Sequence, residues 1–408
     1  MFGEFKDERP TGRTSWRDWL WVLVCAALSS IWILTAARQL SATYDETAYL
    51  KVGLERWRTG SMRTLVRMGT MPLPVDVCTL PLYLAERATG RRIDLEAEMS
   101  DWLPLARAGT LVFWWLLLIY AWRLGNLLGG PWAGRWAIGV LAVEPSFLGH
   151  AALATTDLAS AACLLALAFH YRVARERQRQ TRDTRHETRD KTVLVSWPSL
   201  IVPAVWFAAA LLAKASAVVY GPIVILAAEA NYRLSKSWRE ERFGLVSRVS
   251  CLVSVIPVFA VAGLGFILAG LYCGRWSRLV EVIAFQIRHN HDGHGGTFLL
   301  GRWSDAPLWY YFPTLLTIKL PLPLLVAPLG IALLRPRALV NWPIAAAAAM
   351  LLLSLTCHIQ IGVRYLLPAM AFGAVGLAGA IDPQAGAPTA LRGHVLTAHA
   401  HAKPWAWH

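Results

Sequence analysis

Cysteine is scarce and scattered. Six occur in 408 residues, none in a Cys-x-x-Cys or comparable metal-ligand spacing, so neither a structural zinc module nor a disulfide framework is indicated. Three of them, Cys25, Cys163 and Cys251, fall inside apolar runs. The two halves of the chain do not match one another, so the paired-repeat construction of many secondary transporters has no support here. The first residues, MFGEFKDERPTGRTSWRDW, hold no small-residue cleavage site. The apolar run that follows them therefore reads as a retained span rather than a removed signal. Acids are outnumbered, 26 Asp and Glu against 40 Lys and Arg, for a net charge of +14. That surplus does not point to nucleic acid. The Arg residues gather between apolar runs, where anionic headgroups and cytoplasmic loops account for them.

Apolar side chains are what the chain has in excess: 56% hydrophobic residues, 20 Trp and a mean hydropathy of +0.42. Repeated apolar runs of about 20 residues are each long enough to cross a bilayer. The chain reads as an all-α, polytopic transmembrane bundle of about ten spans, with residues 1–18 a cytoplasmic N-terminus, 19–381 the membrane domain and 382–408 a short cytoplasmic tail. The first span is near Leu20–Ala37. A long, mostly polar first loop follows, with the Pro-broken segment MGTMPLPVDVCTLPLYL inside it. Further spans are expected near Ala108–Leu128, Trp136–Leu148, Asp157–Tyr171, Val193–Leu212, Val218–Ala230 and Cys251–Tyr272. A loop rich in His and Gly reaches to Trp309; the eighth span then ends near Leu334, and two more lie near Trp342–Cys357 and Tyr365–Ala380.

Orientation follows from the short basic loops. Arg172–Lys191 carries eight Lys or Arg against four acids, and Arg233–Arg248 five against two. The positive-inside rule makes that side cytoplasmic. Threaded back, Asp45-Glu46, the Glu144–Asp157 corner, Lys214, the His291–Asp305 loop and Arg364 all emerge on the opposite, outer side. Acids, a Lys, His and an Arg brought to span ends on one face suggest a shared site.

Each of these residues has a plainer explanation as well. Thr43 and Glu46 make a Thr-x-x-Glu capping box for a short amphipathic helix that ends at Gly60 and would lie in the membrane interface. Asp45 and Glu46 would also complement that helix's dipole, as Asp157 would at the start of the fourth span. Lys214 can snorkel to the interface. His289, His291 and His294 can be solvated residues of a Gly-rich loop rather than metal ligands. Taken together, however, the set suits one kind of reaction, with a carboxylate to accept a proton and cations to hold an anionic leaving group.

Four stretches carry a resemblance: YDETAYLKVG, EPSFLGHAALATTDL, HGGTFLLGRWSDAPLWYYFPTLLTIKLPLP and IGVRYLLP, within residues 44–368. They resemble the GT-C superfamily of phospholipid-carrier-dependent glycosyltransferases, in particular the protein O-mannosyltransferase-like family, to which the lipid A aminoarabinose transferase is related. The resemblance implies a mannosyltransferase-like enzyme of a bacterial-type inner membrane. It would transfer a sugar, with inversion and on the periplasmic side, from a polyprenyl-phosphate donor to a protein, lipid or glycan acceptor. It also implies roles: Asp45 as catalytic base with Glu46 its partner, Asp157 as the second acidic position, and Lys214 and Arg364 as holders of the lipid phosphate. His150 and His294 would stand at the donor site, and a divalent metal on Asp45 or Asp157 is a further expectation. The segment GTMPLPVDV stands where relatives tend to have a His-Pro-Pro-like sequence. The chain also stops soon after the tenth span, so an inactive truncated homologue is one alternative reading and a flippase for lipid-linked sugars is another.

Overall fold

The computed structural model of the chain describes residues 15–188, 197–237 and 256–381. Most of the expected N-terminal segment 1–18, the tail 382–408, the starts of the spans expected at Val193 and Cys251, and most of the basic stretch Arg233–Arg248 lie outside the described residues. The fold is a bundle of α-helices with one short β-hairpin. It opens with α1, Trp16–Gln39. The long first loop is not mostly polar coil but a small helical layer: α2 Tyr44–Thr59, α3 Arg63–Arg67, α4 Pro72–Thr89 and α5 Met99–Ala108. Next come α6 Leu111–Gly129, α7 Pro131–Val143, α8 Pro145–Ala151, α9 Asp157–Thr188, α10 Trp197–Ala213 and α11 Ala217–Ser237. The last third holds α12 Ile256–Tyr272, α13 Trp276–Asp292 and a hairpin of β1 Thr297–Leu299 and β2 Arg302–Ser304, antiparallel with Phe298 opposite Trp303. It continues with α14 Tyr311–Lys319, α15 Leu322–Leu334, α16 Trp342–Ser354 and α17 Leu367–Ile381, with short 3₁₀ turns at Pro336–Leu339 and Val363–Leu366.

Several of the expected apolar runs are not single long helices. Among the described residues, four segments are long and apolar enough to cross a membrane alone: Trp16–Gln39, Met99–Gly129, Asp157–Gln178 and Val363–Ile381. Two bent pairs, α12 with α13 and α14 with α15, each turn by 107° and would raise the number to six. Proline explains two of the breaks. The third run splits at Glu144-Pro145 into α7 and α8, and the eighth at Leu320-Pro321, because Pro lacks an N–H and disfavours helix in the residue before it. The opposite error occurs after Tyr171. There α9 runs on to Thr188 instead of ending in a loop, since RVARERQRQTRDTRHET has neither Gly nor Pro and is rich in good helix formers. The stretch after Tyr272, expected as loop, is helical as well: α13 buries Leu279 and Val282, three residues apart on one side.

The core is built around α9. From Leu158 to Ala168 its side chains are almost completely buried, with Ala and Leu alternating irregularly around the helix. A helix apolar on every side must be covered on every side, and α6, α10, α11 and α17 pack around it. A second, smaller core holds the helical layer together through Leu50, Leu54, Cys78, Leu82 and Leu103. The amphipathic α2 thus turns its apolar side to α4 and α5, where an interfacial helix would have turned it to lipid. Two glycines allow these close crossings. A Cβ on Gly53 would stand 2.6 Å from Val75 and 2.7 Å from Thr79 of α4. Within α4, Pro81 cannot bond the Val77 carbonyl, and Gly109 fits against that turn, where a Cβ would lie 3.0 Å from the Val77 oxygen. Pro72 and Pro74 sit in the first turn, where missing N–H groups cost nothing. The segment expected to be Pro-broken is therefore one continuous helix.

Candidate active site

The site is positioned by a buried latch. Arg107, in the last turn of α5, is wholly inaccessible and uses all five of its N–H donors. Its Nε donates to Glu46 Oε1 (2.8 Å) and Nη2 to Glu46 Oε2 (2.7 Å). The remaining donors reach the carbonyls of Ala37, Leu40 and Ser41 at the end of α1, at 2.7–2.9 Å. Glu46 in turn accepts from the Thr43 amide (2.9 Å), the Thr43 hydroxyl (3.0 Å) and the Ala154 amide (2.8 Å). Burial alone would raise the Glu46 pKa, but Arg107 and these amides outweigh it and hold the carboxylate below its ordinary range. One salt bridge thereby ties the end of α1, the start of α2, the end of α5 and the loop leading into α9.

Glu46 is therefore turned away from the cavity, where it was expected beside Asp45 as a catalytic partner. Successive residues on a helix point about 100° apart, so placing Glu46 in the latch aims Asp45 elsewhere. Asp45 faces a polar cavity of about 260 Å³ together with Tyr49, Asp157, Lys214, Arg364 and Tyr365. Arg364 Nη1 donates to Asp45 Oδ2, and Lys214 Nζ donates to Asp157 Oδ1. The Lys214 ammonium also lies over the Tyr365 ring, 4.1 Å from its centre. The two carboxylates differ in access: the Asp157 side chain is 3% exposed and that of Asp45 26%.

Local structure explains how each partner arrives. Lys214 occupies the short break between α10 and α11, its amide closing α10 on the Ala210 carbonyl at 3.0 Å. Arg364 sits in the 3₁₀ turn after Gly362, whose φ of 112° suits only glycine and whose amide donates to the Tyr311 hydroxyl at 3.0 Å. Gln360 fastens the same segment: it donates to the Leu308 carbonyl (2.7 Å) and accepts from the Leu308 amide and the Thr297 hydroxyl (both 3.0 Å). On the far side, the Gln286 amide group donates to the Gly69 carbonyl at 2.8 Å, and the Phe285 ring occupies the space a Gly69 side chain would need. That contact lays α13 across the cavity.

His294 reaches the cavity wall beside His289, the two ring nitrogens 3.0 Å apart. His291 instead contacts Asp292 and is largely exposed. His150, on α8, does not line the cavity. Burial, with Arg364, Lys214 and Lys319 nearby, holds it below the usual His range against the pull of Asp157. Tyr49 is pushed up to about 12 by burial and by the charge of Asp45, so its phenol is neutral and able to donate. A metal does not fit the donor set. Asp45 and Asp157 are each bonded to a cation, and among the described residues no three of His, Cys, Asp and Glu are placed so that they could hold a metal ion.

A second cavity, about 290 Å³ and almost wholly apolar, adjoins α8, the break between α14 and α15, α16 and α17. Its lining includes Phe147, Leu316, Leu320, Leu324 and Leu366, with Glu144 the one charged residue among them. Leu366 stands two residues from Arg364 of the polar cavity, in the same 3₁₀ turn. Sequence reasoning missed Arg107, Gln360 and Tyr49. An Arg at the edge of an apolar run has to find a partner, and Tyr49 lies one turn beyond Asp45. Nothing local marked Gln360.

No family model matches the chain, and no curated protein sequence matches it. Solved structures share its fold. Among solved structures it is similar to the crystal structure of ArnT from Cupriavidus metallidurans bound to undecaprenyl phosphate, with a TM-score of 0.53 and 14% identity, over 93% of this chain and 64% of that one. It is similar also to ArnT from the same organism in the apo state, with a TM-score of 0.52 and 14% identity, over 92% and 62% of the two chains. The chain thus spans under two thirds of ArnT's length, and at that identity the likeness is one of fold.

Proposed function

We propose that this protein is a glycosyltransferase that moves a sugar from a polyprenyl-phosphate carrier to a hydroxyl acceptor, inverting the anomeric carbon. One observation carries the reading: a partly open carboxylate, Asp45, shares a polar cavity with two cations, and an apolar cavity begins two residues away along the 3₁₀ turn. A lipid-linked sugar needs that division, with room for a hydrocarbon tail beside cations for a phosphate and a base for the acceptor. The ArnT structure that shares this fold holds undecaprenyl phosphate, which supports a carrier of the same class.

In the reaction, Asp45 takes the proton of the acceptor hydroxyl as its oxygen attacks the anomeric carbon. The bond from that carbon to the phosphate oxygen breaks, and the electron pair leaves with the lipid phosphate. A single base suffices, because phosphate leaves without a general acid. Asp45 rather than Asp157 is the base, since Asp157 is enclosed and held by Lys214. An arriving phosphate competes with Asp45 for Arg364, so binding the donor frees the base. The active site lies on the outer side by the distribution of charge. Asp157 and Arg175 stand at opposite ends of the α9 span, about 27 Å apart at 1.5 Å per residue. The Arg175 end is basic, with Arg175 and Arg233 both bonded to Glu229 at 2.8–3.0 Å.

The test is turnover of radiolabelled polyprenyl-phosphate-mannose by purified protein in lipid vesicles supplied with cell-envelope extract as acceptor. Label is expected to move onto acceptor material. Label that only crosses the bilayer, with the sugar still on its carrier, would make the protein a transporter and end the proposal.

A further inference from the structure

Arginines elsewhere in the bundle are paired, Arg107 with Glu46, Arg135 with Asp18 and Arg175 with Glu229. Arg123 is not. It lies within the segment Met99–Gly129, apolar enough to cross a membrane, and forms no ion pair or hydrogen bond among the described residues. Its position continues the α6 stripe of Val112, Trp115, Ile119 and Leu127, at helical spacing, of which Val112, Trp115 and Leu127 are exposed. On a spanning helix that stripe faces lipid, where a charge needs a counter-charge. What the guanidinium meets is aromatic: its carbon lies 5.6 Å from the centre of the Phe169 ring. The centre of Phe169 is 5.2 Å from that of His170 and 5.9 Å from that of Tyr120. Trp206 of α10 stacks on His170, 6.0 Å between centres and 10° between planes. The Tyr120 hydroxyl is 2.9 Å from His170 Nε2. When that hydroxyl donates to Nε2, the ring proton sits on Nδ1, for which no described residue supplies an acceptor. Arg123, Phe169, His170 and Trp206 are all half-buried, so the cluster reaches the surface where α6, α9 and α10 meet. Beside it α10 exposes Ile201, Val202 and Val205. His170 is about 20 Å along α9 from Asp157 at 1.5 Å per residue, in the half of that span remote from the candidate active site.

We infer that Arg123 and His170, walled by Tyr120, Phe169 and Trp206, bind the phosphate of an anionic phospholipid in the leaflet opposite the candidate active site. This goes beyond the sugar-transfer reading and does not depend on it. The Arg123 guanidinium offers a fork of N–H donors to the phosphate oxygens, and His170 Nδ1–H adds one more. The acyl chains then lie along Ile201 and Val205, and the Trp and Tyr rings sit where the hydrocarbon core gives way to headgroups. A basic pocket between spans at that level suits an anionic headgroup. A zwitterionic lipid fits less well, because its own cation would stand beside Arg123. The plainer account is that Arg123 snorkels toward water. A snorkelling side chain would not be held over Phe169, and it would not distinguish one headgroup from another.

The experiment titrates the full chain, stripped of lipid in a neutral detergent, with phosphatidylglycerol, phosphatidylcholine or inorganic phosphate, and counts bound molecules by native mass spectrometry. Basic loops also attract anionic lipid, so the quantity read is the tightest site. Wild type is expected to bind one phosphatidylglycerol more tightly than phosphatidylcholine. Arg123→Leu is expected to weaken that site roughly tenfold to a hundredfold, the effect of one charged hydrogen bond, with phosphatidylcholine binding and melting temperature unchanged. Arg123→Lys is expected to recover part of the preference. Should Arg123→Leu not fold, Arg123→Gln, which keeps a donor without the charge, reads the same difference. An unchanged preference in the uncharged variant overturns the inference. So does equal loss of both lipids, which would make Arg123 structural. Displacement of the lipid by inorganic phosphate alone would make this a site for free anions and overturn it as well.

Discussion

Asp45 and Glu46 are neighbours in the chain and opposites in the structure. Glu46 is fully buried, with Arg107 and three donors from residues 43 and 154 around its two oxygens. Asp45 is about a quarter exposed and bonded to one cation that reaches it from the other end of the chain. Both are carboxylates paired with an Arg, so pairing alone does not separate a structural acid from a chemical one. Completeness of the pairing does. A carboxylate with every lone pair engaged has nothing left for a substrate, whereas Asp45 has both an accessible oxygen and a partner that an incoming anion can draw away.

The comparison breaks most sharply at Asp45. Asp45→Asn keeps the size and leaves the start of α2 able to form, yet removes the proton acceptor. Transfer by that variant is expected to fall about a hundredfold to ten-thousandfold, roughly 3 to 5 kcal/mol in the barrier, with its melting temperature close to that of wild type. Near-normal turnover would move the base to Asp157.

At the latch the expected loss is of stability instead. Arg107→Met leaves Glu46 buried without its cation, which is expected to cost about 3–5 kcal/mol. Thermal or denaturant unfolding in detergent would show it as a large drop, together with proteolysis within residues 40–110. Little change in stability would mean that the latch relaxes onto water and does not fix the geometry of the site.

The smallest expected effect sharpens the same distinction through pH. Since the Glu46 pKa is depressed in the folded protein, its stabilising contribution is complete above the ordinary carboxylate value of 4.5 and is lost as pH falls through the lower folded value. The melting-temperature gap between wild type and Glu46→Gln is therefore expected to stay constant from about pH 8 to 5 and to close only below that. A gap that already closes near pH 6 would show that Glu46 is not held ionised by Arg107.

The first helix of the layer was legible because its signals are local. The Thr43–Glu46 pair starts α2, and Gly60, at φ 71°, ends it with its amide 2.7 Å from the Arg56 carbonyl. Where reading failed, short-range pattern and long-range packing disagreed. Counting prolines suggested that α4 was broken, yet Gly109 fills the turn that Pro81 disturbs. The His and Gly content suggested a loop after Tyr272, yet α13 lies across the cavity on contacts with residue 69, more than two hundred positions earlier.

The class of the protein and its inventory of charges needed only the sequence. Apolar runs of membrane length, basic stretches between them and acids, Lys and Arg at the ends of apolar runs are properties of composition and spacing. Which acid stays open to a ligand was decided by the tertiary structure. Glu46 meets Arg107 across 61 positions and Asp45 meets Arg364 across 319, and no local rule reports a partner at such separations. The physical reason is that an ionised group buried in a low dielectric must be neutralised and fully hydrogen-bonded. Only the folded chain shows which carboxylate met that demand and which was left open to a substrate.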